Sequence, residues 1–291
     1  VIVLQVNEAG VIVAEGNYSE GGSGGTVHWG RAISKEVVMR DTTTYITRYP
    51  VGYVAPDDPS ADETITEGTL DGGLAWTLTK AGTLTISGQG AMPDLSSAAE
   101  QPWSPYSGQI LKVVIEDGVT SIGSCAFWDC PILSAKIPET VTVIGNNAFY
   151  GSALMSVTIP SSVKTIGDSA FYTCKNLSSV KFSEGLETIG QNAFRACGDL
   201  ASISLPASIK SVGSAAFMEC KKMMSAVFTP GSGQVTLGDN MFSECWYLTQ
   251  VTLPQNINRI GEGMFYNCMA LAKVEIPQGA GSIEMQAFAS C

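Results

Sequence analysis

The feature that most constrains this chain is a phenylalanine that returns at a nearly fixed interval. It stands at Phe127, Phe149, Phe171, Phe194, Phe217, Phe242, Phe265 and Phe288, in steps of 22, 22, 23, 23, 25, 23 and 23 residues. The same phrase surrounds it each time: Ile122-Gly123-Ser124-Cys125-Ala126-Phe127, Ile144-Gly145-Asn146-Asn147-Ala148-Phe149 and Ile166-Gly167-Asp168-Ser169-Ala170-Phe171. Later copies drift, with Met241 and Met264 in place of Ala and Glu284 in place of Gly. A period of this length marks a solenoid, in which one coil cannot bury its own apolar side chains and a stack of coils can.

A second phrase fills the interval. Val157-Thr158-Ile159-Pro160, Ile203-Ser204-Leu205-Pro206, Val251-Thr252-Leu253-Pro254 and Val274-Glu275-Ile276-Pro277 alternate apolar and polar residues. That alternation predicts a short strand with one face buried, ended by a proline that cannot donate to a ladder. The next segment, of the type Val163-x-x-Ile166-Gly167, predicts a second short extended piece. Its Gly is expected to supply a free backbone angle for the following turn. Ala-Phe-x-x-Cys predicts a single helical or 3₁₀ turn, too short to stand as an α-helix. The fold class expected is a repeat solenoid of about eight coils over residues 110–291.

These phrases together resemble the BspA-like class of bacterial leucine-rich repeats. Leu74-Ala75-Trp76-Thr77-Leu78, Gly82 through Met92, and Pro102-Trp103 are similar to the cap that often precedes such repeats. The likeness spans residues 70–291. It implies a cell-surface or secreted protein used for adhesion or binding, with no catalytic residues. Residues 68–109 are read as the N-terminal cap, with a hairpin around Lys80-Ala81-Gly82 that covers the open end of the first coil. At the other end the chain stops at Cys291 in mid-coil without a polar cap, and the natural protein is expected to continue there, the alternative being that this end packs against another copy.

Of the 8 cysteines, Cys130, Cys174, Cys197, Cys220, Cys245, Cys268 and Cys291 each stand three residues after the landmark Phe. Ser152 takes that place in the second coil, and Cys125 stands off the column. One Cys per coil at a fixed phase predicts a reduced, buried file of small apolar residues. Neither C-x-x-C pairs nor interleaved His are present, so no metal site and no cofactor are expected.

Residues 1–48 do not follow the repeat and read as a β-rich segment; residues 49–67, with Pro50, Pro56 and Pro59, read as a linker. Val1–Val6 and Val11–Ala14 suggest a hairpin about Asn7-Glu8-Ala9-Gly10, and Val27–Ile33 and Thr43–Arg48 suggest further strands. The run from Val11 to Ser19, followed by Val27-His28-Trp29-Gly30-Arg31, resembles the final strands of a CHAP-type cysteine amidase or peptidase. In that family a Glu and an Asn on such a strand orient the catalytic His, and Glu15 and Asn17 match those places. The resemblance also implies a Cys and a His earlier in the chain. Here the first Cys is Cys125, inside the repeats, and His28, the single His, follows the pair. No catalytic residues are therefore expected in this chain, with Glu15 and Asn17 as candidates for a remnant.

A net charge of −11 repels phosphate backbones and anionic headgroups, which argues against nucleic acid and membrane surfaces as partners. No apolar run approaches the roughly 18–20 residues that span a bilayer, so no membrane insertion is expected. Val1-Ile2-Val3-Leu4 does not read as a signal peptide.

The partner expected is a host or bacterial surface protein or glycan, met outside the cell or at its surface. The outward strand positions Thr158, Lys181, Ser204, Val227, Thr252 and Glu275 are mixed and lack a carboxylate pair placed for acid–base work. The position after the landmark Phe carries Trp128, Tyr150, Tyr172 and Tyr266, which are candidates for contact with a protein or glycan, or for packing along the edge of the core. Glu116, Asp117, Glu139 and Glu184 read as a solvated rim, without the dense acidic spacing of a calcium loop. Two other roles stay open: the targeting arm of a cell-wall amidase whose Cys and His lie upstream, and a spacer that holds another domain off the cell.

Overall fold

The structure, a computed structural model, describes residues 61–291 throughout and, before them, the strands Val3–Asn7, Gly10–Val13, Glu15–Gly16 and Val27–His28. Val3–Asn7 and Gly10–Val13 pair antiparallel, with Asn7 opposite Gly10, as the first alternation predicts. Asn17 and the expected strand Thr43–Arg48 lie outside the described residues.

From residue 110 the chain winds as a β-solenoid. One face is a seven-stranded parallel sheet of Gly90–Ala91, Val119–Ile122, Val143–Ile144, Thr165–Ile166, Thr188–Ile189, Ser211–Val212 and Thr236–Leu237. Ile122, Ile144, Ile166, Ile189, Val212 and Leu237 are successive register partners, so one apolar file runs through six of the seven strands. A second face carries the alternating strands, among them Ser156–Ile159 beside Ser179–Phe182 and Ser202–Leu205 beside Ser225–Phe228. Register pairs Thr158 with Lys181, and Ser204 with Val227, on the outward side. Val274-Glu275-Ile276 has the same alternation but forms no strand, and Ile276 is exposed.

Between the faces lies the aromatic spine. Phe127, Phe149, Phe171, Phe194, Phe217, Phe242 and Phe265 are fully buried. Neighbouring rings stand between 5.0 Å (Phe171–Phe194) and 5.9 Å (Phe217–Phe242) apart, most of them stacked. Burying each ring is worth roughly 1.5–3 kcal/mol, and each aromatic pair adds about 0.5–1.5 kcal/mol.

The segment around Phe is not a helical turn. Among the described residues the helical elements are two 3₁₀ segments in the cap, Ala98–Glu100 and Ser104–Gln109. In the second coil Asn147 and Gly151 both have left-handed φ, 55° and 71°, which a right-handed helix excludes. Alternate N–H groups then point in two directions. Those of Ala148, Tyr150 and Ser152 bond within their own coil, to the carbonyls of Gly145, Asn147 and Phe149. Those of Asn147, Phe149 and Gly151 donate to Asp168, Ala170 and Tyr172 of the next coil, at 2.7–2.9 Å. Tight turns thus do what a third strand would do, bonding each coil to its neighbour.

The glycine of the Ile-Gly phrase has a different role from the one expected. Left-handed angles fall two residues later, on Asn147, Ser169, Asn192 and Ala215. The glycines are needed because coils touch there. A Cβ on Gly190 would stand 2.5 Å from Asp168 Oδ1 and 2.6 Å from the Asp168 nitrogen, and one on Gly213 would stand 2.5 Å from the Gln191 nitrogen.

The cap begins earlier than the sequence suggests. Thr64–Leu70, which starts inside the segment read as linker, pairs antiparallel with Leu74–Thr79, and that strand pairs with Thr83–Gly88. Thr83–Gly88 then pairs in parallel with Lys112–Ile115, so the cap continues the sheet of the second face. The rest of the cap imitates a coil. Trp103 stacks on Phe127 at 5.6 Å and takes the place of a preceding Phe, while Trp76 meets Trp103 edge-on at 5.9 Å. Asp94 Oδ1 accepts the Ser124 N–H at 2.7 Å, as Asn146 Oδ1 accepts that of Asp168 and Asp168 Oδ1 that of Gln191. That bond to the Ser124 backbone is the main cause holding the Asp94 carboxyl below its ordinary range. Buried Gln101 supplies an amide N–H to the carbonyls of Cys125 and Trp128, at 2.9 and 3.1 Å. These side chains satisfy backbone groups that a preceding coil satisfies elsewhere.

Candidate interaction surfaces

The residue after the landmark Phe lies at the edge of the core, half-buried as Trp128, Tyr150, Tyr172, Arg195 and Met218 but fully buried as Ser243. Trp128 and Tyr150 stand 5.1 Å apart at 43°, and Tyr150 and Tyr172 stand 5.0 Å apart at 25°. The Arg195 guanidinium lies over Tyr172 at 5.8 Å and is held there by Glu219, at 2.8 Å. Tyr150 therefore stands between Trp128 and Tyr172, and Tyr172 between Tyr150 and Arg195. Burial, reinforced by Tyr172 and Asp129, pushes the Tyr150 hydroxyl above its ordinary range. The fourth candidate, Tyr266, does not join them. Met218 and Ser243 occupy the intervening places of the file, and Tyr266 is 36% exposed.

Acidic residues of the rim act on the next coil. Glu139 Oε2 accepts the Ser161 hydroxyl at 2.9 Å and the Ser162 N–H at 3.2 Å, and Glu184 Oε1 accepts the Ala207 N–H at 3.4 Å. Asp239 binds Arg259 at 2.7 Å, which lowers its carboxyl and raises the guanidinium. Among the described residues no group of His, Cys, Asp and Glu is placed to hold a metal ion, and no helix is long and apolar enough to cross a membrane.

The cysteine file is free of disulfides, and Cys130, Cys174, Cys197, Cys220, Cys245 and Cys268 are buried as their phase predicts, while Cys291 at the end of the file is exposed; the file is also hydrogen bonded. Cys174, Cys197, Cys220, Cys245 and Cys268 each donate the thiol to the carbonyl of the Phe one coil earlier, at 3.1–3.3 Å. Ser152, the replacement in the second coil, lies with its hydroxyl 3.1 Å from the Cys174 sulfur. At the start of the file Gln101 Oε1 receives the Cys130 thiol at 3.6 Å. Burial pushes the thiols of Cys130 and Cys268 up to about 12, so these sulfurs are poor nucleophiles at neutral pH. Cys125, off the file, is buried in a left-handed turn position at φ 58°.

Of the two amidase-remnant candidates, Glu15 lies in the strand Glu15–Gly16, where its register partner is His28. Asn17 falls outside the described residues.

One exposed cluster escaped the sequence reading. Tyr247 is 61% exposed, Met269 62% and Trp246 36%. The signal was present in the residues just after each Cys, where Pro131, Ala153, Lys175 and Gly198 give way to Lys221, Trp246 and Met269.

Comparison with known families places these features. The model of the BspA type leucine rich repeat region, in six copies, matches residues 105–224 and 179–291. No curated protein matches the chain. Among solved structures, a leucine-rich repeat protein from Eubacterium ventriosum ATCC 27560 is 21% identical over 77% of this chain and 94% of its own, with a TM-score of 0.33. The Treponema pallidum (T. pallidum) leucine rich repeat protein is 24% identical over 62% of this chain and 90% of its own, with a TM-score of 0.46. A leucine rich cell surface protein from Faecalibacterium prausnitzii A2-165 is 20% identical over 81% and 87%, with a TM-score of 0.32. On the family match, which takes in all the coils from the cap's last turn to Cys291, the chain belongs to the BspA type leucine-rich repeat family.

Proposed function

We propose that this chain is a non-enzymatic interaction module of a bacterial cell-surface or secreted protein, binding a protein or glycan of a host or neighbouring cell through its repeat surface. The observation that carries the reading is the edge file Trp128–Tyr150–Tyr172–Arg195, a continuous half-exposed strip whose rings hold one another in place. Preorganised aromatic and arginine side chains lose little freedom on binding and dominate many interfaces. Because both tyrosine rings are flanked on each side, they offer ring edges and hydroxyl groups, which suits a protein surface better than stacking on a sugar.

The test is a screen of the full chain against purified host matrix proteins and a glycan array. Saturable binding that Trp128→Ala and Tyr150→Ala weaken supports the reading. Absence of binding to every member of both panels counts decisively against it.

A second reading keeps the chain as the targeting arm of a cell-wall amidase. It is favoured by the pairing of Glu15–Gly16 with Val27–His28, strands in the order that the amidase resemblance implies. The parent gene decides it: a Cys and a His encoded at domain-sized distance upstream of Val1, with peptidoglycan hydrolysis by the parent protein, would establish it, and their absence would end it.

A further inference from the structure

The alternating strands of the second face repeat their outward side as well as their buried one. The first outward residue is serine in Ser134–Lys136, Ser156–Ile159, Ser179–Phe182, Ser202–Leu205 and Ser225–Phe228. Register pairs Ser156 with Ser179, and Ser202 with Ser225. The coils between them adjoin too, since the Met155 N–H donates to the Leu133 carbonyl and the Ala201 N–H to the Ser178 carbonyl. A file of small hydroxyls therefore crosses the stack, one per coil, at roughly 4.8 Å. Packing does not require it. Ser134, Ser156, Ser179 and Ser202 are exposed, and their hydroxyls bond to no other group among the described residues. Nor is serine among the residues that strands favour.

The neighbouring outward file is taller and carries charge of one sign. Lys136 and Lys181 stand on either side of Thr158, roughly 10 Å apart at strand spacing. Lys112 is the register partner of Ser134, at the head of the serine file. None of the three lysines has an ion pair among the described residues. From Lys112–Ile115 to Gln250–Thr252 no outward strand position is Asp or Glu, in a chain that holds 27 of them. Carboxylates border the face without lying on it. Glu67 belongs to the outermost cap strand, and Glu116, Glu139 and Glu184 follow the strand ends. Glu139 and Glu184 are turned to the Ser162 and Ala207 N–H groups of the next coil. Glu275, past the last strand of the face, is paired with Lys273 at 3.0 Å.

We infer that this face binds a linear acidic polysaccharide, which lies along the serine file across the strands and places its sulfate or carboxylate groups at Lys112, Lys136 and Lys181. This rests on the proposed role as an interaction module and assigns it a second surface, separate from the Trp128 strip. The serines leave a low floor beside the lysine file, so a chain of sugar rings can approach the sheet. Each hydroxyl can both donate to and accept from the hydroxyls of the sugar. A protein partner fits less well. Serine and lysine are depleted from protein interfaces, and neither file offers an aromatic or arginine anchor between Lys112 and Thr252.

The experiment measures binding of the full chain by calorimetry to heparin, hyaluronan, uncharged dextran and single-stranded DNA. Binding to one or both acidic polysaccharides is expected, heparin reporting sulfate and hyaluronan carboxylate, with none to dextran. Lys136→Ala combined with Lys181→Ala should weaken it by about tenfold and flatten its salt dependence. Ser179→Leu fills the floor without changing the charge and should also weaken it by about tenfold, while Trp128→Ala should leave it unchanged. The substituted positions of the face are exposed, so unaltered thermal unfolding checks that the fold is intact. Absence of binding to both acidic polysaccharides overturns the inference. So does equal binding to DNA, or binding indifferent to Ser179→Leu, since either leaves only the general attraction of a polyanion. Polysaccharide binding that depends on Trp128 instead overturns it while leaving the module reading standing.

Discussion

The Cys220 thiol donates to the carbonyl oxygen of Phe194, one coil earlier, at 3.3 Å. The same carbonyl accepts the Cys197 N–H at 3.3 Å, so both of its lone pairs are used inside a dry core. Cysteine here is both a space-filler and a donor. Replacing it separates the roles. Cys220→Ala removes the donor and leaves a small void, and should cost about 1–3 kcal/mol. Cys220→Ser keeps a donor, as Ser152 does in its own coil, and should cost less. Urea unfolding of both variants under reducing conditions measures the difference.

The raised thiols make stability fall in alkali. Cys130 and Cys268 rise from an ordinary value of 9.0 to about 12, with burial as the first cause. The unfolded chain therefore releases these protons before the folded chain does. Between those pH values the unfolded state binds fewer protons, so unfolding free energy declines as pH rises. The contribution is complete below pH 9 and is lost on approaching 12. Denaturation midpoints at pH 8, 10 and 11 should descend, and should descend less steeply in Cys268→Ser. A flat profile would show that the thiols are not protected as described.

Two glycines should respond oppositely to the same change. Gly190→Ala places a methyl 2.5 Å from Asp168 Oδ1 and 2.6 Å from backbone atoms, which forces coils apart. A loss of roughly 1–3 kcal/mol is expected, or more if the ladder cannot shift. Gly198→Ala meets nothing within 4 Å and should be neutral or slightly stabilising. Thermal unfolding of the pair gives the contrast directly.

Gln101 tests the imitation of a coil by the cap. Gln101→Leu keeps approximate volume but removes the N–H groups that reach Cys125 and Trp128 and the oxygen that receives the Cys130 thiol. Leaving buried acceptors unmet costs about 1–3 kcal/mol. In native-state hydrogen exchange the loss should appear first in the turn around Phe127, before it reaches the coils near Phe217.

These relationships show why some of the molecule was legible in the residues and some was not. The eight-fold Phe, the Val-x-Ile-Pro alternation and the phase of the cysteines are periodic in the chain itself. Apolar periodicity is a local record of which side chains must be buried, so the stack, its two faces and the thiol file could be read directly. Left-handed angles could not, because they fall on Asn147, Ser169 and Ala215, residues of unlike chemistry held there by bonds to another coil. The same is true of the edge aromatics. Trp128, Tyr150 and Tyr172 were visible as a series, but whether the tyrosine faces were free depended on the spacing of the stack, which sets Tyr150 5.1 Å from Trp128 and 5.0 Å from Tyr172.

The sequence by itself therefore determined that this protein is a repeat solenoid with a cysteine at one fixed phase in every coil but the second, since each coil repeats the same local demand for burial. Only the tertiary structure decided what each repeated residue does there. Gly190 yields space to Asp168, Cys220 bonds to Phe194, and Gln101 with Trp103 stands in for a missing coil. The physical reason is the same in all three. Their partners lie a full coil away along the chain, and nothing local to the residue records the contact until the coils are stacked.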